Sequence, residues 1–179
     1  IAKNLREGGR IEGASGIRNL ILNNYIGIDA SGTGILGNSG DGVAIYSPGN
    51  TVGPNNVISA NNRGVLISGA SASGNIIQAI RIGTDSAGKL DLGNALEGIR
   101  IEAGATGTQV RGDGVGSQVI SGNNVGLAII GPATTGTLVV GNYIGTDVAG
   151  TADLGNSLEG IQIDASPNNT IGGTASGQR

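Results

Sequence analysis

The sequence predicts an all-β protein, a right-handed parallel β-helix, on three observations: a long motif that recurs, a shorter beat beneath it, and a composition suited to stacked strands. The motif Asn142-Tyr143-Ile144-Gly145-Thr146-Asp147, with Leu154-Gly155-Asn156 and Glu159-Gly160-Ile161-Gln162-Ile163, is its third appearance. Earlier copies run from Asn24-Tyr25-Ile26-Gly27 to Asp41-Gly42-Val43-Ala44-Ile45 and from Arg81-Ile82-Gly83-Thr84-Asp85 to Glu97-Gly98-Ile99-Arg100-Ile101. The beat is a glycine followed by apolar-x-Ile, at Gly8, Gly42, Gly64, Gly98, Gly126 and Gly160, at intervals of 34, 22, 34, 28 and 34 residues. Those intervals resolve into a coil of about 22 residues carrying 12-residue loop insertions on alternate coils. Internal repetition at such a period is the signature of a solenoid. Glycine supplies 36 of the 179 residues, while Phe, Trp, Met, Cys and His are absent, so any core is built from Ile, Val, Leu and Ala. β-Branched side chains suit a pleated, stacked surface.

The shortest coil, Gly42 to Arg63, shows the elements in order. Gly42-Val43-Ala44-Ile45-Tyr46 alternates as a strand, Ser47-Pro48-Gly49 turns, Asn50-Thr51-Val52 is a second strand, Pro54-Asn55-Asn56 turns again, and Val57-Ile58 is a third. No window keeps a helical period, because Gly, Asn, Ser or Pro interrupts each one. Three short strands cannot bury a face alone, but stacked coils can, each strand pairing in parallel with its counterpart at about 4.8 Å. Right-handed winding is the expected hand for parallel crossovers. Val43/Ile45, Val65/Ile67, Ile99/Ile101, Leu127/Ile129 and Ile161/Ile163 then form an inward aliphatic stack, and the residues between them point outward. Asparagines gather at corners (Asn61, Asn62, Asn123, Asn124) and in the loops (Asn38, Asn94, Asn156), where stacked amides bond along the axis. The inserted loops form a ridge on one flank, with Leu36, Leu92 and Leu154 folding back onto the coil.

The motif, together with Asn169-Thr170-Ile171-Gly172-Gly173-Thr174 and Val119-Ile120-Ser121-Gly122-Asn123-Asn124, resembles the right-handed parallel β-helix repeats of large bacterial secreted and surface proteins, an architecture of the pectate-lyase-like superfamily. The resemblance spans essentially the whole chain and implies the fold and an extracellular or cell-surface setting. It implies no single activity, since that superfamily holds lyases, epimerases, tailspikes and non-catalytic stalks. The first coil departs most, with Gly9 at an aliphatic position.

Residues 1–179 read as one solenoid segment that begins and ends in mid-coil without caps, and the chain opens on Ile1 as an internal or processed piece. Ile1 aligns with Val119 at a constant offset, which makes Ile1 and Arg179 the candidate end-to-end junction. A net charge of −3 without a basic cluster argues against nucleic acid, and no apolar run is long enough to span a bilayer. Lack of histidine and cysteine excludes triad and thiolate chemistry and the commonest zinc ligands.

Three groups remain as candidates. The column before each coil glycine (Glu7, Asp41, Arg63, Glu97, Val125, Glu159) should form an ion-pair ladder about Arg63. The loop aspartates Asp29, Asp85 and Asp147 should accept backbone N–H bonds, with Ca²⁺ the one cofactor the sequence allows and no other expected. Tyr46, Leu66, Ala128 and Ile130 mark an outward apolar face as the candidate partner-contact surface. No catalytic, cofactor-binding or metal-binding residue is assigned. The sequence therefore reads as a non-catalytic structural or adhesive rod segment whose partners are neighbouring repeats, identical units stacked end to end into a fibre, or a glycan. The alternative is a polysaccharide-acting lyase or hydrolase, or a glycan-binding module, on the same scaffold.

Overall fold

The computed structural model describes residues 1–13, 15–112 and 118–173. Short strands follow one another in groups of three: β1 (Gly9–Ile11), β2 (Leu20–Ile21) and β3 (Tyr25–Ile26); β4 (Val43–Ile45), β5 (Thr51–Val52) and β6 (Val57–Ile58); β7 (Val65–Ser68), β8 (Ile76–Gln78) and β9 (Arg81–Ile82). Then come β10 (Glu97–Glu102), β11 (Gln109–Arg111) and β12 (Gln118–Ile120); β13 (Val125–Ile130), β14 (Leu138–Val140) and β15 (Asn142–Ile144); and β16 (Ile161–Asp164) with β17 (Thr170–Ile171). First members of each group form a six-stranded sheet, β1-β4-β7-β10-β13-β16. Second members form another, β2-β5-β8-β11-β14-β17, and third members a five-stranded sheet, β3-β6-β9-β12-β15. Pairing within all three is parallel. Three parallel sheets climbing together are the topology of a parallel β-helix, in which each group of strands is one level.

Register follows the glycine beat. In the first sheet Val43, Val65, Ile99, Leu127 and Ile161 form one column, and Ile45, Ile67, Ile101, Ile129 and Ile163 another. From Val43 and Ile45 through Leu127 and Ile129 both columns are fully buried, whereas Ile163 on the last level is 46% exposed. The second sheet adds Val52, Ile77, Val110 and Val139, and the third adds Ile26, Ile58, Ile82 and Ile120. Side chains of one size and shape, repeated at every level, fill a narrow shaft that an isolated aromatic would force open.

Corners between strands are made by left-handed residues, among them Asn23, Asn55, Ala60, Ala79 and Ala103. At Gly83, φ is +82° and a Cβ would stand 2.0 Å from the carbonyl oxygen of Ser121 on the next level, so the position admits only glycine. Each long motif ends its third-sheet strand in a small β-hairpin, closed by antiparallel bridges Ile28↔Ile35, Thr84↔Asp91 and Thr146↔Asp153. These hairpins follow β3, β9 and β15, every second strand of the third sheet. Their tips are joined by backbone bonds, Ser86 N–H to Gly32 O at 2.9 Å and Val148 N–H to Gly88 O at 3.0 Å. They also lie over the outer face of the third sheet, where a Cβ on Gly150 would be 2.7 Å from the Tyr143 ring. Val57 and Val119, which point outward on that sheet, are 1% and 0% exposed.

The start of the chain departs from the expected register. Ile1 donates its ammonium to Tyr25 O at 2.7 Å and accepts from Gly27 N–H at 2.9 Å, so it pairs with Ile26. That makes Ile1 the counterpart of Ile120, which pairs with Ile144, and not of Val119. The one-residue difference is absorbed at Leu5, which is 90% exposed and has no counterpart in the turn Asn123-Asn124. Arg179 lies outside the described residues.

Replacing Ile101, at the middle of the shaft, by Ala should cost about 2–5 kcal/mol, because the fixed coils above and below cannot collapse into the void. Ile163→Ala on the last level should cost well under half of that, as read by denaturant unfolding of the two variants.

Candidate functional site

Charged side chains form a network on the outer face of the first sheet. Arg63 bridges Asp41, at 3.4 Å on one neighbouring level, and Glu97, at 2.9 Å on the other. Glu97 also holds Arg100, which in turn holds Glu102, so five alternating charges run without a gap. A second group lies lower: Arg10 meets Glu7 at 3.3 Å and Glu12 at 2.7 Å, and its guanidinium sits 4.4 Å above the Tyr46 ring centroid. The ladder expected about Arg63 is present. Asp41 and Glu97 are nearly buried. Burial raises the Asp41 carboxyl above the ordinary range despite Arg63, and Glu7 and Glu97 add to the rise. Burial pushes Glu97 up as well, but bonds and charge from Arg100 and Arg63 outweigh it and hold the carboxyl below its ordinary value. Chemically, the guanidinium of Arg63 occupies the space between the two carboxylates that a glycosidase would leave for a sugar and a water.

The hairpin aspartates are turn caps. Asp147 accepts from the N–H groups of Thr151 (2.8 Å) and Ala152 (3.1 Å), and Asp85 from those of Lys89 (2.7 Å) and Leu90 (3.0 Å). Asp29 accepts from Ser31 Oγ and from the Gly32 and Gly34 N–H groups. Bonds donated by Thr151 and Ala152 hold the Asp147 carboxyl below its ordinary range, and those from Ser31 and Gly34 do the same for Asp29. Among the described residues no three acidic side chains gather as they would around a metal ion. Leu36, Leu92 and Leu154 are half-buried beneath the loops.

The outward apolar face is less open than the sequence implied. Tyr46 and Ile130 are half-buried, but Leu66 is 6% and Ala128 0% exposed. Both keep outward places, since Leu66, Arg100, Ala128 and Gln162 follow one another in register. A short side chain one strand spacing from a long one is roofed by that neighbour's methylene stem, and here Arg100 stands between the two.

Asparagine carries the longest constellation, and its extent was not foreseen. Asn4, Asn38, Asn61, Asn94, Asn123 and Asn156 form a single column. At each step the lower residue gives both its main-chain N–H and its Nδ2–H to the Oδ1 of the residue above, as from Asn94 to Asn123 at 3.2 and 2.9 Å. The remaining Nδ2–H goes to a strand carbonyl, such as Ile58 O from Asn94 at 3.1 Å. A second column at another corner starts Asn19, Asn50, Asn75 and ends in Asn169. Between its ends stand Thr108 and Thr137, whose buried hydroxyls have no partner among the described residues. Serine joins levels too: Ser59 Oγ donates to Thr84 O at 2.7 Å, and Ser121 Oγ to Thr146 O at 2.8 Å, each binding the base of the hairpin on the next level.

No protein family, curated protein or solved structure was found to match the chain.

Asn94→Ala should destabilise by about 1–3 kcal/mol, because it strands the buried groups of Asn61 and Asn123 on either side; denaturant midpoints would show it, with half-buried Asn62→Ala, outside the column, as the milder control. Acid should destabilise through the hairpins. Asp29 and Asp147 have lowered values in the folded state, so their contribution is present above the ordinary aspartate value of about 3.9 and is lost as pH falls through the folded one. Asp41 acts in the opposite sense, its raised value favouring the fold on the acid side. Thermal melts from pH 7 downward should therefore show a smaller acid-induced loss in Asp147→Asn than in the native chain.

Proposed function

We propose that the protein is a non-catalytic structural or adhesive rod segment of an extracellular bacterial protein, built as a right-handed β-helix of coils near 22 residues with 12-residue hairpin insertions on alternate coils. One observation carries the reading: polar side chains are consumed by the repeat itself, in axial ladders, and are not drawn together around a cleft. The outer-face charges pair with each other, Arg63 between levels with Asp41 and Glu97, and Arg100 along its own strand with Glu97 and Glu102. The loop carboxylates accept from their own turns. An enzyme breaks its repeat at one place to gather unlike groups, and a scaffold keeps it. Motif resemblance supports the extracellular setting, and Tyr46 and Ile130 are the accessible part of the surface through which a glycan or lateral partner would be met.

A second reading has an observation of its own. Asp41 is raised by burial beside Arg63, the combination a lyase acting on acidic polysaccharide would use to take a proton near a substrate carboxylate. The test is prolonged incubation of the chain with polyuronates and neutral glycans, following unsaturated products by ultraviolet absorbance and new reducing ends by colorimetry. The scaffold reading expects no product with any of them. Depolymerisation that disappears in Arg63→Lys would replace it with the enzyme.

A further inference from the structure

Both asparagine columns are directional. In the first, donors always belong to the lower level and the acceptor Oδ1 to the upper one, from Asn4 to Asn156. The lower face of the solenoid therefore presents the Oδ1 of Asn4 as an acceptor. The upper face presents the main-chain N–H and an amide N–H of Asn156. The second column runs the same way, Asn19 N–H to Asn50 Oδ1 at 2.9 Å and Thr137 N–H to Asn169 Oδ1 at 2.9 Å. It leaves the Oδ1 of Asn19 below and the N–H of Asn169 above. Each face lacks what the other offers, at two separate corners.

The levels also close in phase. First and second sheets have six strands each, and the third has five, with Ile1 bonded beside Ile26 as the sixth chain at that corner. Hairpins occupy every second level, after β3, β9 and β15, and join through Ser86 N–H to Gly32 O and Val148 N–H to Gly88 O. A copy placed on top of the last level puts its Ile1 above β15 and its own first hairpin one level higher, again two levels from the hairpin below. The corresponding donor, Ala30 N–H, then faces Gly150 O.

We propose that this chain stacks head to tail on a second copy of itself, β16 pairing in parallel with the next copy's β1 and β17 with its β2. Asn156 then donates to Asn4 and Asn169 to Asn19 across the junction. The contact rests on the scaffold reading above and supplies its partner. It covers the two open mouths of the core, one lined by Ile11, Ile21 and Val43, the other by Val139, Ile161 and Ile171. Ile163 and Ile171, 46% and 45% exposed on the upper face, become interior. A head-to-tail contact with no rotation that closes a ring grows an open filament. The same register sets Asp164 beside the next copy's Glu12 and Glu159 beside its Glu7, two like-charge pairs that weaken the joint and that salt screens.

Electron microscopy and sedimentation velocity of the whole 179-residue chain, over a wide concentration range at low and high salt, test this. Expected are linear polymers with an axial repeat of six strand spacings, about 29 Å. Asp164→Lys, which turns a repulsive pair into an attractive one, should assemble at a severalfold lower concentration. Ile163→Arg, at a site exposed in the single copy, should stay monomeric while melting close to the native chain. Monomers under all conditions, in the native chain and in Asp164→Lys alike, would overturn the proposal, as would dimers that do not grow or aggregates without the 29 Å repeat. Cleavage of a polysaccharide would sink the scaffold reading alone and leave the stacking result standing.

Discussion

A buried asparagine that takes two hydrogen bonds from the level below can be satisfied only if that level carries a donor at the same corner. This constraint ties every coil of the solenoid to its neighbours. Asn38, Asn61, Asn94 and Asn123 are all at least 96% buried, in surroundings where an unpaired amide would be costly. Each is fully bonded because the next is there. The aliphatic shaft supplies most of the burial, but a stack of similar Ile and Val columns would tolerate a slipped coil. A slip by two residues keeps aliphatic side chains pointing inward but breaks the asparagine column outright, which makes the amides the element that fixes register against such slips.

The hairpins obey a second geometric rule. An antiparallel hairpin is two chains thick, and two chains at the strand spacing occupy the height of two levels. Hairpins on every level would collide, whereas hairpins on alternate levels meet tip to tip and bond. Serines of the intervening levels, Ser59 and Ser121, complete the fit by binding hairpin bases. The recurring Val-Ile-Ser-x-Asn-Asn string thus combines a core residue, a hairpin clasp and a member of the amide column in six positions.

Much of this was legible because a solenoid repeats its chemistry at fixed intervals. The glycine beat gave the first-sheet columns residue for residue, and Arg63 lay at the right intervals to bridge Asp41 and Glu97. Other features were hidden for physical reasons. Asn61 and Asn123 looked like corner residues and Asn38, Asn94 and Asn156 like loop residues, yet all share one column, since each hairpin returns the chain to the corner it left. Leu66 and Ala128 were placed on the correct face, but exposure there depends on the length of neighbouring side chains, which alternation does not encode. The offset of Ile1 by one residue was invisible because an extra residue at an exposed turn, Leu5, leaves no mark on the core pattern. Nothing in the sequence distinguished Thr108 and Thr137 from other turn threonines, although they interrupt a buried amide column.

The alignment of the asparagine amides gives the solenoid an electrical axis. Successive peptide dipoles alternate along each strand and largely cancel, but six side-chain amides point the same way, and their dipoles add as peptide dipoles do along a helix. The carbonyl end, at Asn4, is the negative pole. The amide end, at Asn156, is the positive pole, three residues before Glu159 in the chain. A structure assembled from such levels in one direction would carry a polarity along its length that a symmetric stack could not have.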